Sequence, residues 1–474
     1  MGCSPSRKAN ENLIKIEQTG LGTFNLVHAN EKSFLELYRV ESPLGTGSFG
    51  EVRTVIHKLT GQERAVKLFR KSLDDYKSYL KVKNEIQILK TLHHPCIIKI
   101  FEYFEDDKRL YIVLEKCNGG ELFDMISQKS NLNENTSAII CKQIFSALAY
   151  MHENSIIHRD IKPENIMLEE TEDYVNIKII DFGTAIKSSG NRFVELVGSP
   201  FYIAPEVVNG DYSIECDMWS CGVILYILLS GYPPFDAKSS NDILKKIKQG
   251  KYTFSKPIWE IVSNEAKDLI TKLLCPANER LTAAQALCHP WIKALGSYPK
   301  PEKLQLDFLK NNLKEFHSRN KLHNAITAFI SNQIISGRET KELRALFKSL
   351  DSNGDGRLSK EELLIGFEGN HDLISAIMRS VDADKNGFID LDEFLVAAVN
   401  QKTLLSRENM KKAFDMFDLD GSGTISFDEL QAVLGVGTNI GKSIWEDIMK
   451  KKQKKNEKEL SFQEFCEILV SLID

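Results

Sequence analysis

The sequence predicts a multidomain α+β protein in which a mixed α/β domain precedes an all-helical domain. Its 474 residues allow about two to four domains and a sizeable buried core. Runs typical of strands, "RAVKLF" and "LYIVLE", alternate with longer helical patterns, whereas the C-terminal part repeats an acidic twelve-residue segment between helical patterns. The predicted parts are a leader (1–37), the α/β domain (38–292), a helical junction (293–342) and the all-helical domain (343–474).

Composition and charge exclude several classes of protein. The net charge of −5 argues against a general nucleic-acid binder. The 9 cysteines contain no CxxC pair and predict a reducing compartment, not a disulfide framework. The most apolar run, "CGVILYILL" (221–229), has about half the length that a bilayer requires, so it predicts a buried helix.

A glycine-rich segment opens the α/β domain. "LGTGSFGEV" (44–52) contains Gly45, Gly47 and Gly50, and by itself it is a weak signal that dinucleotide-binding folds share. Glycines let a loop close over phosphates because no Cβ stands in the way. Lys67 in "RAVK" and a following helix that contains Glu85 strengthen the nucleotide interpretation.

Three further motifs follow in a defined order. They are "HRDIKPEN" (158–165), "DFG" (181–183) and "APE" (204–206). Together with the glycine loop and Lys67, they resemble the protein kinases over about residues 38–292. The resemblance implies a bilobal kinase fold that binds ATP and Mg²⁺.

The resemblance also implies a role for each residue of the active site. Lys67, oriented by Glu85, would hold the α and β phosphates, and Asp160 would orient the substrate hydroxyl and accept its proton. Asn165 and Asp181 would hold Mg²⁺, which prefers oxygen ligands. The predicted catalytic residues are Lys67, Glu85, Asp160, Lys162, Asn165 and Asp181.

The predicted ATP site extends to the hinge between the lobes. Glu115 and Cys117 would present backbone groups to adenine, and Leu114 would guard the back of the pocket. The predicted ATP-binding residues are Leu44, Gly45, Gly47, Gly50, Val52, Ala65, Lys67, Leu114, Glu115, Cys117, Glu121 and Asp181.

Smaller details predict the substrate class. Lys162 and "GSPFYIAPE" (198–206) resemble serine/threonine kinases, and "CNGGELFD" (117–124) resembles the calmodulin-dependent kinase group. That resemblance implies that Glu121, assisted by Glu164, accepts an arginine three residues before the phosphoacceptor.

Other charged residues of the kinase-like region are assigned to activation or to the scaffold. Glu195 in the activation segment is predicted to give Arg159 the negative charge that many kinases obtain by phosphorylation, so that calcium alone suffices. Asp217 and the pair Glu206 and Arg280 are interpreted as structural.

The acidic repeat matches the EF-hand calcium loop. "DSNGDGRLSKEE" (351–362), "DADKNGFIDLDE" (382–393) and "DLDGSGTISFDE" (418–429) have oxygen ligands at loop positions one, three, five and twelve, with glycine at six. Position seven contributes its main-chain carbonyl. The predicted ligands are Asp351, Asn353, Asp355, Arg357 and Glu362, then Asp382, Asp384, Asn386, Phe388 and Glu393, and finally Asp418, Asp420, Ser422, Thr424 and Glu429.

A fourth segment, "QKKNEKELSFQE" (453–464), keeps only part of this pattern. Leu460 and the closing Glu464 remain, but Lys455 stands where a ligand is due, and an ammonium group has no lone pair to offer calcium. We predict a degenerate EF-hand that pairs with the third through Ile425 and Leu460. The chain would then bind three calcium ions.

A kinase followed by EF-hands in one chain resembles the calcium-dependent protein kinases of plants and protists. That resemblance implies an autoinhibitory, calmodulin-binding-like junction, which the EF-hand domain would bind within the same chain. The junction has the expected basic amphipathic pattern. Its apolar residues lie on two successive helical faces: Leu309, Leu313 and Phe316, then Leu322, Ile326 and Phe329.

These observations predict a calcium-activated serine/threonine protein kinase that acts on protein substrates. The alternative is a calcium-binding scaffold with an inactive kinase fold, which the complete catalytic set disfavours. A small-molecule kinase is disfavoured by "APE" and by the EF-hands.

The N-terminus carries an acylation signal. "MGCSPS" fits the myristoylation pattern at Gly2, and Cys3 would supply the second, palmitoyl anchor that stable attachment requires. We therefore expect a cytoplasmic protein attached to the cytoplasmic face of a membrane, with the plasma membrane favoured. We also expect a monomer.

Overall fold

The structure is a computed structural model. It describes residues 30, 32–47, 50–72, 76–169, 175–188, 190–298, 301–316, 321–335, 337–369, 371–434, 442, 444–446, 448–449 and 459–470. The acylation signal at Gly2 and Cys3 and residues 453–458 of the fourth loop lie outside the described residues, as does the side chain of Leu322.

The first lobe is built on a five-stranded antiparallel sheet in the order β1-β2-β3-β5-β4. The strands are β1 (Tyr38–Gly47), β2 (Gly50–His57), β3 (Glu63–Arg70), β4 (Ile100–Glu105) and β5 (Arg109–Leu114). Helix α2 (Tyr76–Leu89) lies between β3 and β4 in the chain and buries one face, including Val82 and Ile86. The runs "RAVKLF" and "LYIVLE" therefore form the two central strands β3 and β5, as predicted.

The first lobe begins before residue 38. Helix α1 (Phe34–Leu37) precedes β1, and Phe34 stacks on Tyr38 and Tyr111 at centroid distances of 5.3 and 4.6 Å. An aromatic cluster therefore ties Phe34 and Leu37 to the sheet, and the domain boundary at residue 37 stays a prediction.

The second lobe is mainly helical. Its first helices are α3 (Leu122–Lys129) and α4 (Glu134–Glu153), followed by β6 (Ile156–Ile157), a 3-10 turn (Pro163–Asn165), β7 (Ile166–Glu169), β8 (Asn176–Ile179) and β9 (Ile186–Lys187). The remaining helices are α5 (Pro205–Asn209), α6 (Glu215–Ser230), α7 (Ser240–Gln249), α8 (Ile258–Ile261), α9 (Asn264–Leu273), α10 (Ala283–Leu287) and α11 (Pro290–Leu295).

The apolar run "CGVILYILL" lies within α6, whose residues 216–229 are all buried. A helix that is apolar on every face is stable at the centre of a lobe, where α4 and α9 cover it. The prediction of a buried helix is confirmed. Among the described residues, the helices are all too short or too polar to cross a bilayer.

The junction forms two helices, α12 (Lys303–Glu315) and α13 (Lys321–Gln333). The next helix, α14 (Gly337–Leu350), leads directly into the first calcium loop. The predicted boundaries at residues 292 and 343 fall inside helices, since α11 spans Pro290–Leu295 and α14 spans Gly337–Leu350, and both stay predictions.

The EF-hand domain completes the fold. Its further elements are α15 (Lys360–Gly366), α16 (His371–Val381), α17 (Leu391–Ala398), α18 (Gln401–Leu404), α19 (Arg407–Phe417), β10 (Thr424–Ile425), α20 (Phe427–Leu434), β11 (Leu460–Ser461) and α21 (Phe462–Val470). The domain has two apolar cores, one for each pair of EF-hands, and each core includes one junction helix.

Candidate active site and calcium loops

A buried ion pair lies at the centre of the first lobe. The Lys67 ammonium, on β3, lies 2.8 and 2.9 Å from the two carboxylate oxygens of Glu85 on α2 and 3.1 Å from the Asp181 carboxylate. Burial acts to lower the pKa of Lys67, but the two carboxylates outweigh it and hold that pKa above its ordinary value. Lys67 is therefore charged and aimed at the cleft.

The loop after β6 organises the catalytic carboxylate. Asp160 accepts a hydrogen bond from the Ser199 hydroxyl (2.9 Å) and one from the Asn165 amide (3.1 Å), and it lies 2.8 Å from the Lys162 ammonium. Lys162 also donates to Ser199 (2.9 Å). These contacts orient Asp160 at the point where β6 ends.

The backbone of the site is strained at two residues. Arg159 and Asp181 have φ angles of +69° and +60°, in the left-handed region that side chains disfavour. The Asp217 carboxylate holds the first turn by accepting hydrogen bonds from the backbone N–H groups of His158 (3.0 Å) and Arg159 (2.9 Å). Asp217 is therefore structural, as predicted.

The fit of the site to Mg²⁺ follows from its donor set. The Ile180 N–H donates to the Asn165 carbonyl (2.9 Å), so the side chains of Asn165 and Asp181 project from adjacent backbone. A carboxylate and an amide oxygen are suitable ligands for this ion. Bound Mg²⁺ would neutralise phosphate charge, while Lys67 would bind phosphate oxygens and Asp160 would hold the substrate hydroxyl and take its proton, the roles predicted from the sequence.

The walls of the predicted ATP site lie on the sheet. Ala65 on β3 and Leu114 on β5 are register partners, and Gly47 pairs with Gly50 where β1 turns into β2. A Cβ on Gly50 would lie 1.9 Å from the Leu68 carbonyl oxygen, so only glycine fits there. Of the other predicted wall residues, Leu44 and Gly45 lie on β1, Val52 lies on β2, and Cys117 follows the hinge.

The calcium loops bring their acidic residues together. In the second loop the ligand atoms of Asp382, Asp384 and Glu393 lie within 4.8 Å of one another, and the third loop does the same with Asp418, Asp420 and Glu429. Burial and the nearby Asp390 carboxylate raise the pKa of Glu393 to about 9. A divalent cation would relieve this repulsion, so the donor set fits calcium.

The first loop folds around its first ligand. The Asp351 carboxylate accepts hydrogen bonds from the backbone N–H groups of Gly354 (2.7 Å) and Gly356 (2.9 Å). Burial, Asp355 and Glu362 raise the pKa of Asp351 to about 8. The Asn353 amide donates to Asp355 (2.9 Å).

The remaining predicted ligands occupy their expected loop positions. Asn386 and Ser422 at position five donate backbone N–H groups to Asp382 (3.1 Å) and Asp418 (2.9 Å). The position-seven residues, whose carbonyls are the predicted ligands, are Arg357, Phe388 and Thr424.

EF-hands associate through their eighth loop positions. Leu358 and Ile389 exchange two backbone hydrogen bonds of 2.9 Å between the first and second loops. Ile425 on β10 pairs with Leu460 on β11, which links the third loop to the fourth. The predicted pairing of the degenerate fourth hand is confirmed.

Comparison with known proteins identifies both halves of the chain. Residues 38–292 match the protein kinase domain family, and residues 340–398 and 407–470 match the EF-hand domain pair family. Calcium-dependent protein kinase 4 of Plasmodium berghei (strain Anka) is 41% identical over 465 residues, which cover 93% of this chain and 87% of that protein. The chain belongs to the calcium-dependent protein kinases.

Other relatives also match most of this chain and most of their own length. Calcium-dependent protein kinase 4 of Plasmodium falciparum (isolate 3D7) is 40% identical over 98% of this chain and 92% of its own length. Calcium-dependent protein kinase 5 of the same organism is 37% identical over 94% of this chain and 80% of its own length. This calcium-dependent protein kinase is therefore a calcium-activated serine/threonine kinase that uses ATP and Mg²⁺, and the complete catalytic set leaves nothing in favour of an inactive scaffold.

The activation segment of this kinase brings Glu195 towards Arg159. The two side chains are 3.4 Å apart, but Glu195 is 69% exposed. Exposed ion pairs contribute little, about 0 to 1 kcal/mol. The contact exists, whereas activation by calcium alone stays a prediction.

The predicted scaffold pair of Glu206 and Arg280 is buried, with Arg280 Nη1 2.5 Å from the Glu206 carboxylate.

The hinge of this kinase contains an ion cluster that sequence analysis missed. The Glu115 carboxylate lies 3.0 Å from the Lys178 ammonium and is also bonded to Arg344, which belongs to the first EF-hand helix α14. Burial opposes ionisation, but the two cations hold the pKa of Glu115 far below its ordinary value. Arg344 and Glu115 are far apart in the sequence, so no local pattern indicates the contact.

The end of the junction is held by the first lobe, which was also not predicted. Arg64 donates to the Gln333 carbonyl (3.1 Å), and Gln62 donates to the Ile335 carbonyl (2.6 Å). The last carbonyls of a helix have no partner within the helix, and a cation suits the negative end of its dipole. The junction is therefore fastened to the face of β3 opposite Ala65 and Lys67.

Proposed function

We propose that calcium activates this kinase by determining where the junction lies. Leu309 and Leu313 on α12, and Phe316 directly after it, are buried in the core of the first EF-hand pair. On α13, Ile326 and Phe329 are buried in the core of the second pair. Burial of both apolar stripes in the EF-hand domain is the observation that carries the proposal, because calcium-opened EF-hands take up such helices.

A second apolar face of α12 supports the inhibitory half of the proposal. Leu304 and Phe308, one helical turn apart, are 77% and 54% exposed. Exposed apolar side chains favour a second binding partner. Without calcium, this face lies against the catalytic cleft and excludes the substrate.

We further propose that the substrates carry a basic residue before the phosphoacceptor. Burial and the neighbouring carboxylates of Asp124 and Glu164 raise the pKa of Glu121, so a cation is favoured beside them. An arginine guanidinium can bond two carboxylates at once.

A calcium-titrated phosphotransfer assay on a basic peptide tests the regulatory proposal. Phe308→Gln is expected to raise activity without calcium, because the inhibitory face is weakened. Leu313→Gln is expected to raise the calcium concentration for half-maximal activity, because the EF-hand core holds the junction less well. If both variants titrate like the unmutated chain, the junction is not the regulator.

We propose that three calcium ions bind, because Lys455 stands where the fourth loop needs a ligand and its ammonium group offers calcium no lone pair. We also propose that the kinase is a monomer, because its regulator lies in the same chain.

The proposed membrane attachment depends on the acylation signal alone. Gly2→Ala is expected to release the kinase into the soluble fraction, and Cys3→Ser to loosen it, because one acyl chain binds a membrane only marginally. Cell fractionation measures both. Calcium-dependent activity in solution is the control and should not change. A Gly2→Ala variant that fractionates with the membrane as before would contradict the proposal.

A further inference from the structure

The first calcium loop lies directly against the kinase domain. Asp351, its first ligand, is only 4% exposed. Lys142, on α4, donates a hydrogen bond to the carbonyl of Ser352 (3.3 Å). Arg357 at loop position seven lies 3.5 Å from the Glu153 carboxylate at the end of the same helix. The loop therefore contacts α4 at two separate places.

Two glycines of this loop touch kinase side chains. A Cβ on Gly354 would lie 2.8 Å from Lys142 Cε and 3.3 Å from Leu287 Cδ2. A Cβ on Gly356 would lie 2.4 Å from the ring of His94. A side chain at Gly356 would overlap the His94 ring, and one at Gly354 would require the end of the Lys142 side chain to move.

The other loops show that backbone conformation alone does not explain Gly354. Gly421 holds the same position in the third loop with φ +72°, against +75° for Gly354, yet a Cβ there would meet nothing within 4 Å. The second loop has Lys385 at this position with φ +59°. Since a lysine adopts this conformation, the contact with Lys142 is what distinguishes Gly354.

On the kinase side, His94 is held in place by hydrogen bonds to both ring nitrogens. The Cys96 N–H donates to His94 Nδ1 (3.1 Å), so the Nε2–H faces the Ser146 hydroxyl at 3.0 Å. Both ring nitrogens are thus engaged within the kinase domain, and His94 presents a fixed surface to Gly356.

The loop side depends on its carboxylates. Asp351 and Asp355 share a small loop that Glu362 closes by accepting from the Asn353 N–H (3.1 Å). Without a cation these charges repel one another, so the compact shape is the one that calcium stabilises. We propose that the first calcium loop is itself a docking surface that Lys142 and His94 recognise, so that calcium there controls the kinase by direct contact. This inference rests on the calcium-dependent function proposed above.

Matched asparagine substitutions test the contact in the full-length chain. Asparagine tolerates the left-handed conformation, so it adds volume with little backbone strain. Gly354→Asn is expected to raise the calcium concentration for half-maximal activity about tenfold. Gly421→Asn, at the same position of the third loop, is expected to shift it less than about twofold. If Gly354→Asn fails to fold, Gly354→Ala replaces it, with a smaller shift in the same direction.

A second-site variant separates contact from strain. Lys142→Ala removes one partner of the contact and makes room on the kinase side, so it should itself raise the calcium concentration for half-maximal activity. Adding Gly354→Asn to Lys142→Ala should then shift that concentration by less than about twofold. Calorimetry should show the same number of ions throughout. Equal shifts for the two asparagine variants, or independent effects of Lys142→Ala and Gly354→Asn, would overturn the inference. An unmutated chain without any calcium response would instead refute the proposed function.

Discussion

Asp160→Asn is expected to lower kcat about 10³-fold, which is the size of a general-base contribution. Asparagine keeps the shape, and its amide oxygen can still accept the hydrogen bond from Ser199, which lies 2.9 Å from the carboxylate. Its NH₂ group cannot bond the Lys162 ammonium, which lies 2.8 Å from the other carboxylate oxygen. It cannot accept the proton of the substrate hydroxyl. The measurement is the initial rate of peptide phosphorylation at saturating ATP, Mg²⁺ and calcium.

Two controls accompany this variant. Asp242→Asn makes the same chemical change at an exposed position on α7 and should leave kcat unaltered. Calcium stoichiometry should be unchanged in both variants, because Asp160 lies outside the EF-hand domain. An Asp160→Asn enzyme that keeps more than about one tenth of its activity would show that Asp160 is not the base.

Glu393→Gln is expected to remove one calcium ion and to weaken the activating equilibrium about 20-fold. To change the ratio of active to inactive kinase from 1:99 to 99:1, calcium must bind the active state about 10⁴-fold more tightly than the inactive one. Shared equally among three sites, this is about 20-fold for each site. Glu393 closes the second loop, where its oxygens accept the N–H groups of Ala383 (2.8 Å) and Asp390 (3.1 Å). Glutamine removes the charge and the bidentate geometry. Calorimetry gives the stoichiometry, and the kinase assay gives the calcium dependence.

The fourth loop supplies the matched control. Glu464→Gln makes the same change at the same loop position, where the carboxylate accepts from the N–H (3.0 Å) and hydroxyl (2.7 Å) of Ser461. The fourth loop has Gln453 and Lys455 at positions one and three, where the other loops have ligands. Three ions should therefore still bind to Glu464→Gln, and calcium activation should change little. Four ions in the unmutated chain, or the loss of one in Glu464→Gln, would contradict the prediction.

Much of the site could be predicted because its chemistry resides in short segments. Asp160, Lys162 and Asn165 stand within eight consecutive residues, and each calcium loop within twelve, so local spacing already specifies the geometry. The partner of Lys67 could also be predicted, since Glu85 lies in the next helix of a familiar motif order. The packing of Phe34 and Leu37 against the sheet could not be predicted, because a change in composition along the chain does not reveal such contacts.

The amino-acid sequence by itself determined the two chemistries, phosphoryl transfer and calcium binding, and the basic amphipathic character of the junction. Only the tertiary structure decided how these parts meet. Three contacts join residues that are more than 200 positions apart in the sequence. They are the bond of Arg344 to Glu115, the bond of Arg64 to the end of α13, and the packing of Gly354 against Lys142. Such contacts leave no periodic pattern or motif in the sequence. Each residue needs only a complementary charge, or enough space, on the domain that it contacts.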